Sequence, residues 1–217
     1  MTPPPGHTRP TGAYPALKRL VDLLGAGALL LVLAPFLLVI AASILVESGR
    51  PVFFRQTRTG RGGRPFEVVK FRTLRTDAHD VRDPASVTTR VGRILRRWGL
   101  DEAPQLWNVL RGEMSLVGPR PTLPEQTARY GPFERRRLEV PPGLTGWAQI
   151  HGRNALSWPE RFRYDVWYVD HRSLGLDLRI LARTPLMLLS GEGVYGPGGT
   201  NEDYRPERSP DNLANRP

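Results

Sequence analysis

The sequence predicts an α+β protein: a membrane helix near the N-terminus, then a mainly helical domain with a small β-hairpin or sheet and amphipathic surface helices. Three observations predict it. Leu23–Val46 is an apolar run without a charge. Two aromatic-rich segments flank the turn Gly60-Arg61-Gly62-Gly63. Several later stretches repeat apolar residues at helical spacing between Pro- and Gly-marked breaks.

About fifteen positions of Leu23–Val46 are Leu, Ile, Val or Phe. At roughly −0.3 to −0.6 kcal/mol each they favour insertion by about 4 to 9 kcal/mol. As one straight helix the run reaches roughly 36 Å, enough to span a bilayer. Pro35 near its middle removes a backbone hydrogen bond, at about 3 kcal/mol in a helix interior. Lys18 and Arg19 precede the run, and Arg50, Arg55 and Arg58 follow it, so both flanks favour the cytoplasm. A helix broken at Ala34-Pro35 that enters one leaflet and returns satisfies both flanks; a simple spanning anchor is the alternative. A cleaved signal peptide fits less well, because the run is too long for a signal core and lacks a clear cleavage site.

The expected division is a disordered tail over 1–15, the membrane helix over 16–48, a catalytic domain over 49–191 and a flexible tail over 192–217. Within the domain, Pro51–Arg58 and Arg64–Thr73 form the hairpin, and Asp77–Ser86 reads as a loop, with a short helix inside it as the alternative. Arg90–Trp98 is a basic amphipathic helix with Val91, Ile94, Leu95 and Trp98 on one face. It suits an anionic bilayer surface or, equally, packing on the core. A helix over Asp101–Leu110 follows, with Pro104 in its first turn and Gly112 as C-cap. Met114–Val117 reads as a buried strand. Thr122-Leu-Pro-Glu125 and Ser157-Trp-Pro-Glu160 have capping-box spacing. Pro141–Gly146 is a turn-rich loop, and Asp177–Ser190 the last helix.

The 31 basic residues against 21 acidic ones give a net charge of +10, and only Lys18 and Lys70 are lysines. Guanidinium groups favour two-pronged binding of phosphate. Cysteine is absent, which excludes disulfides and thiolate metal sites, and His7, His79, His151 and His171 lack metal-ligand spacing. No nucleic-acid motif accompanies the basic charge.

Asp101 and Glu102 are adjacent at a helix start, where carboxylates are common as caps. Side chains one apart diverge around the axis, so one could attack while the other holds a divalent cation. Arg120, between Pro119 and Pro121, sits on a rigid turn that could aim a guanidinium at a phosphoryl oxygen. Lys70 and Arg72 alternate along an expected strand and would share a face, either solvated or functional. Arg96 could reach back towards Asp101. Gly143 and Gly146 set backbone geometry rather than perform chemistry.

Lys18-Arg19…Asp22, Gly49–Gln56, Lys70-Phe-Arg-Thr73, Leu100-Asp-Glu-Ala-Pro-Gln-Leu106, Asn108–Gly112, Met114–Pro121, Pro142–Gln149 and Gly152-Arg-Asn154 together resemble the bacterial sugar transferases. These are the monotopic polyprenyl-phosphate phosphoglycosyl transferases. The resemblance covers about Ala16–Gly191. It implies an enzyme on the cytoplasmic face of the bacterial cell membrane, with membrane lipid and sometimes a second copy as partners. Such an enzyme moves a sugar 1-phosphate from a UDP-sugar to polyprenyl (undecaprenyl) phosphate and releases UMP. It further implies Asp101 as nucleophile, Glu102 as a ligand of Mg²⁺, and Lys70, Arg72, Arg96 and Arg120 as phosphate-binding residues. The family's re-entrant helix, broken at a Ser-Pro pair, favours that topology here, with Ala34-Pro35 as the break. Three positions depart from the family pattern: Ala34 lacks the hydroxyl, Ala103 replaces a larger apolar residue, and Glu113 stands where Asp is usual. None removes a proposed nucleophile or arginine. The competing readings are a membrane-tethered basic binding module and an ordinary glycosyltransferase releasing UDP.

Overall fold

Apolar length makes the first element: α1 (Tyr14–Ser48) is one helix through Pro35. The computed structural model describes residues 12–75 and 87–190. The expected C-terminal tail, most of the N-terminal tail and the whole Asp77–Ser86 loop lie outside them. The expected break at Ala34-Pro35 is not an interruption, because every residue of α1 keeps helical backbone. A proline removes one hydrogen bond, and an apolar run in lipid has no better alternative than continuing the helix. α1 is long and apolar enough to cross a membrane.

The buried residues of α1 lie towards its ends, at Asp22, Ala26 and Ile44. Its middle exposes Leu31, Val32, Phe36, Leu38 and Val39. Both ends are tied to the domain that follows. At the start, Lys18 Nζ pairs with Asp177 at 3.0 Å. At the end, Glu47 accepts from the backbone N–H groups of Arg90 and Val91 at 2.7 and 2.9 Å.

The hairpin forms as expected from the Gly60–Gly63 turn: β1 (Phe53–Thr59) pairs antiparallel with β2 (Pro65–Phe71), Phe53 opposite Phe71. α2 (Arg90–Trp98) starts at Thr89, whose hydroxyl accepts from Gly92 N–H at 2.9 Å, and stops at left-handed Gly99. Its apolar face is only half covered. Leu95 is buried, whereas Ile94 and Trp98 remain 60% and 41% exposed.

The expected Asp101–Leu110 helix is two elements, a 3₁₀ turn over Leu100–Gln105 and α3 (Leu106–Arg111). Pro104 disfavours α-geometry at Ala103, which accounts for the tighter first turn. β3 (Ser115–Val117) pairs in parallel with β4 (Gly143–Thr145), a strand inside the segment expected to be a loop. The short helices α4 (Pro124–Ala128) and α5 (Pro132–Arg135) lie between them. α4 starts one residue later than its motif suggests, with Gln126 Oε1 accepting from Leu123 N–H at 3.2 Å. Thr122 is otherwise engaged, its carbonyl with Thr59 N–H and its hydroxyl with Tyr130. α6 (Trp158–His171) begins as expected at Ser157, whose N–H donates to Glu160 at 2.9 Å. α7 (Leu174–Ser190) starts a turn earlier than expected.

The main core gathers Val68, Leu106, Val109, Met114, Leu116, Val117, Tyr168, Val169 and Ile180, with Ala26 of α1. Each large apolar side chain buried there contributes about 1.5–3 kcal/mol. Leu106 and Val109 fix α3, and so the turn before it, while Leu116 and Val117 fix the strand that leads to Arg120.

Candidate active site

Gly99 ends α2 with φ 67°, and the chain turns at once into Leu100–Gln105. Successive residues of a 3₁₀ turn point about a third of a revolution apart. Asp101 and Glu102 therefore diverge. Glu102 is paired with two cations: Lys70 Nζ donates to Oε1 at 2.6 Å, and Arg120 donates to Oε2 at 2.9 Å and to Oε1 at 2.5 Å. The Asp101 carboxylate has no hydrogen bond or ion pair among the described residues.

The two carboxyls are driven apart electrostatically. Burial would raise Glu102, but Arg120 and Lys70 outweigh it and hold it well below the usual carboxylate range. Burial, with the Glu102 charge beside it, pushes Asp101 up against the pull of Lys70, Arg120 and Arg96. Burial likewise pushes the Lys70 ammonium down, against the pull of Glu102.

Arg120 reaches this point because β3 and β4 bring their backbones unusually close. A Cβ on Gly118 would lie 2.5 Å from Pro141 O, and one on Gly143 would lie 2.0 Å from Gly118 N. Glycine at both positions permits Gly118 N–H to reach Thr145 O and Gly143 N–H to reach Pro119 O, each at 2.9 Å. Beneath the Pro119–Pro121 turn, buried Arg137 donates to Arg120 O at 2.8 Å, to Tyr130 Oη at 2.7 Å and to Asp165 Oδ2 at 2.6 Å.

Of the expected phosphate-binding residues, Lys70 and Arg120 meet at Glu102. Arg96 is close enough for its charge to act on Asp101, and its Nε donates to Thr73 Oγ1 at 2.9 Å. Arg72 goes elsewhere. β2 ends at Phe71, so strand alternation no longer aims the next side chain. Arg72 is 6% exposed and donates to Ser48 O, Ser48 Oγ and Gly49 O at 2.6, 2.9 and 2.7 Å. It caps the C-terminal end of α1, where carbonyls lack intrahelical partners.

Beside Arg120 opens a cavity of about 620 Å³, with Arg58, Arg137 and Arg161 among its lining residues. A small recess next to it joins Arg120 and Arg161 to Gln149, Arg153 and Asn154. Burial and the neighbouring Arg120 charge push Arg58 and Arg161 down to about 10, and lower Arg153 as well. Arg58 and Arg161 stay charged at neutral pH. Arg153 Nη1 and both polar atoms of the Gln149 amide are buried without a hydrogen-bond partner. Crowded guanidinium groups and orphaned donors are the chemistry that an anion would complement.

The sequence profile of the bacterial sugar transferases matches residues 13–191. The chain belongs to the bacterial sugar transferase family. Among its relatives, the uncharacterized sugar transferase EpsL of Bacillus subtilis is 48% identical over 182 residues, covering 82% of this chain and 90% of that protein. A UDP-glucose:undecaprenyl-phosphate glucose-1-phosphate transferase of Caulobacter vibrioides is 43% identical, over 88% of this chain and 76% of the relative. A UDP-N-acetylgalactosamine-undecaprenyl-phosphate N-acetylgalactosaminephosphotransferase of Aeromonas hydrophila is 38% identical, over 87% and 47%.

In this bacterial sugar transferase several site residues escape sequence reasoning. Arg58 comes from β1, whereas Arg153 and Arg161 lie eight residues apart at and just before the start of α6. Arg153 carried one signal, its place after Gly152 in a motif with an unassigned role; it adopts φ 53°. Asp165 carried another. It lies with Phe162, Val166 and Val169 on the buried stripe of α6, where a carboxylate needs a partner.

Proposed function

We propose that this protein transfers a sugar 1-phosphate from a UDP-sugar to undecaprenyl phosphate and releases UMP, as the initiating membrane step of polysaccharide assembly. The names of the Caulobacter and Aeromonas relatives support the substrates. The observation that carries the chemistry is the unpaired Asp101 carboxylate next to a Glu102 paired with Arg120 and Lys70. A carboxylate engaged with cations is a poor nucleophile, whereas a free one with a raised pKa is a good one.

The arginine-lined cavity takes the donor's diphosphate. An Asp101 oxygen attacks the sugar-bearing phosphorus, and the bond from that phosphorus to the bridging oxygen breaks. UMP departs with the bonding pair, leaving the sugar phosphate esterified to Asp101. Arg120 offsets the charge on the equatorial oxygens. An oxygen of undecaprenyl phosphate then attacks the same phosphorus from the membrane side, the bond to Asp101 breaks, and the carboxylate is restored. Mg²⁺, when bound, supplies further charge neutralisation on the diphosphate. Glu102 would hold it. One carboxylate suffices when substrate phosphates complete the shell, and Oε2 accepts a single hydrogen bond, which leaves a lone pair for a hard cation.

The membrane helix enters and leaves on the cytoplasmic face, bending at Pro35 while its backbone stays helical. Its two ends are tied to one polar domain, through Lys18 to Asp177 and through Ser48 and Gly49 to Arg72, and its exposed apolar middle is left for lipid. A helix spanning the bilayer would place those ends on opposite sides. Exposed Ile94 and Trp98 beside Arg93 and Arg97 extend the contact along α2.

The test incubates purified protein with Mg²⁺, undecaprenyl phosphate and a panel of UDP-sugars, and identifies the nucleotide released. UMP is expected. Release of UDP would indicate an ordinary glycosyltransferase, and release of neither a binding module.

A further inference from the structure

The chemistry above leaves unused a set of polar contacts at the base of α1. Arg19 donates to Val109 O at 2.6 Å and to Leu110 O at 2.8 Å. Asp22, only 4% exposed, accepts from Ser115 Oγ at 3.0 Å and from Leu116 N–H at 2.9 Å. At Gly25 a Cβ would lie 2.7 Å from Leu116 Cδ1, so the helix backbone rests directly on that side chain. Arg19, Asp22 and Gly25 follow at three-residue spacing and share one helix face.

All three grip residues 109–116, the stretch of chain that joins the Asp101–Glu102 turn to Arg120. α3 carries the turn at its N-terminal end and is held by Arg19 at its C-terminal end. β3 carries the Pro119–Pro121 turn at its C-terminal end and is held by Asp22 at its start. A lipid anchor needs none of this, and a carboxylate in its first turns would only oppose insertion.

We propose that the base of the membrane helix is part of the catalytic scaffold: Arg19 and Asp22 are positioning residues that set where the Asp101–Glu102 turn stands relative to Arg120. The helix therefore does more than hold the enzyme near its lipid substrate. Displacements of about 1 Å at a reacting centre can slow a reaction by 10²-fold. Neither residue touches substrate. This proposal rests on the two-step reading above.

The experiment uses the full-length protein in phospholipid nanodiscs, with Mg²⁺ and the UDP-sugar that the wild type turns over. Acceptor is omitted, and UMP release is followed in a single turnover. Asp22→Ala and Arg19→Gln are expected to slow the release by about tenfold or more while both stay embedded. Asp22→Asn keeps an oxygen acceptor for Ser115 and Leu116 and is expected to stay close to wild type. Leu24→Ala, on the exposed face of the same turns, serves as the anchoring control and is expected to match wild type. Wild-type rates in embedded Asp22→Ala and Arg19→Gln would overturn the proposal, as would rate losses that merely follow escape from the membrane. Should Asp22→Ala fail to fold by thermal melting, Arg19→Gln decides alone, because water can satisfy the carbonyls it frees. If the wild type itself releases no UMP without acceptor, the two-step reading is what has failed. The same variants are then compared in the complete reaction, where the same loss is expected.

Discussion

Replacing Arg120 separates its structural role from its catalytic one. In the resting site its guanidinium makes two charge-assisted hydrogen bonds to Glu102, at 2.9 and 2.5 Å. Such bonds contribute about 1.5–3 kcal/mol each when shielded from water. The Arg120 side chain is 36% exposed, and solvent screening reduces the pair to about 2 kcal/mol in all. Arg120→Met should therefore lower the melting temperature by about 4–8 °C, at roughly 2–4 °C per kcal/mol for a domain of this size. Its effect on turnover should be much larger. Loss of one preorganised charge from a transition state typically slows a reaction by about 10²–10³-fold. Arg120→Lys keeps the charge but cannot make the two-pronged contact, so it should retain most of the stability and still lose about tenfold or more in rate. UMP release at saturating donor, measured beside thermal melts of the same samples, gives both quantities. Turnover of Arg120→Met within tenfold of wild type would refute the assignment of Arg120 to the reacting phosphate.

The opposed shifts of the two carboxyls fix the pH dependence. The raised pKa of Asp101 means that the nucleophile protonates, and UMP release falls, at a pH above the ordinary aspartate range while Glu102 is still ionised. Stability follows the other sign at each group. The depressed Glu102 contributes stability that is fully present above the unfolded glutamate pKa and lost only as pH falls through its lower folded value. The raised Asp101 binds its proton more tightly in the folded state, so acidification through that pKa adds stability. Activity should thus fade on the acid side before the melting temperature does, and a joint fall of the two would contradict the assignment. Arg72→Met tests the change of place for that residue. Loss of its three bonds to Ser48 and Gly49 should lower the melting temperature while leaving the KM for donor close to wild type. A KM raised about tenfold or more would instead return Arg72 to the phosphate site.

The elements legible in the sequence are those with local causes. The apolar run, the glycine-turned hairpin, the Ser157 cap and the glycine stop at Gly112 all depend on residues within a few positions of one another. The Asp101–Glu102 pair and Arg120 stood out for the same reason. What escaped needed distant partners. β4 is a strand because Gly143 can press against Gly118, which no local pattern reveals. Arg72 looked equivalent to Lys70 by alternation, yet the strand stops one residue short of it. Ile94 and Trp98 shared a face with Val91 and Leu95 in the pattern, but only Val91 and Leu95 pack against the core. The arginine cavity is drawn from Arg58, Arg120, Arg137 and Arg161, on four separate segments, and in so basic a chain composition could not single them out.

Intact-protein and peptide mass spectrometry after brief exposure to the UDP-sugar, with Mg²⁺ and without undecaprenyl phosphate, is the most direct measurement of the covalent step. Wild-type protein should gain the mass of one sugar phosphate, localised to the peptide that carries Asp101 and absent from Asp101→Asn, with UMP formed in equal amount. An unmodified protein that nevertheless converts donor and acceptor to product, or an Asp101→Asn variant with full turnover, would contradict it.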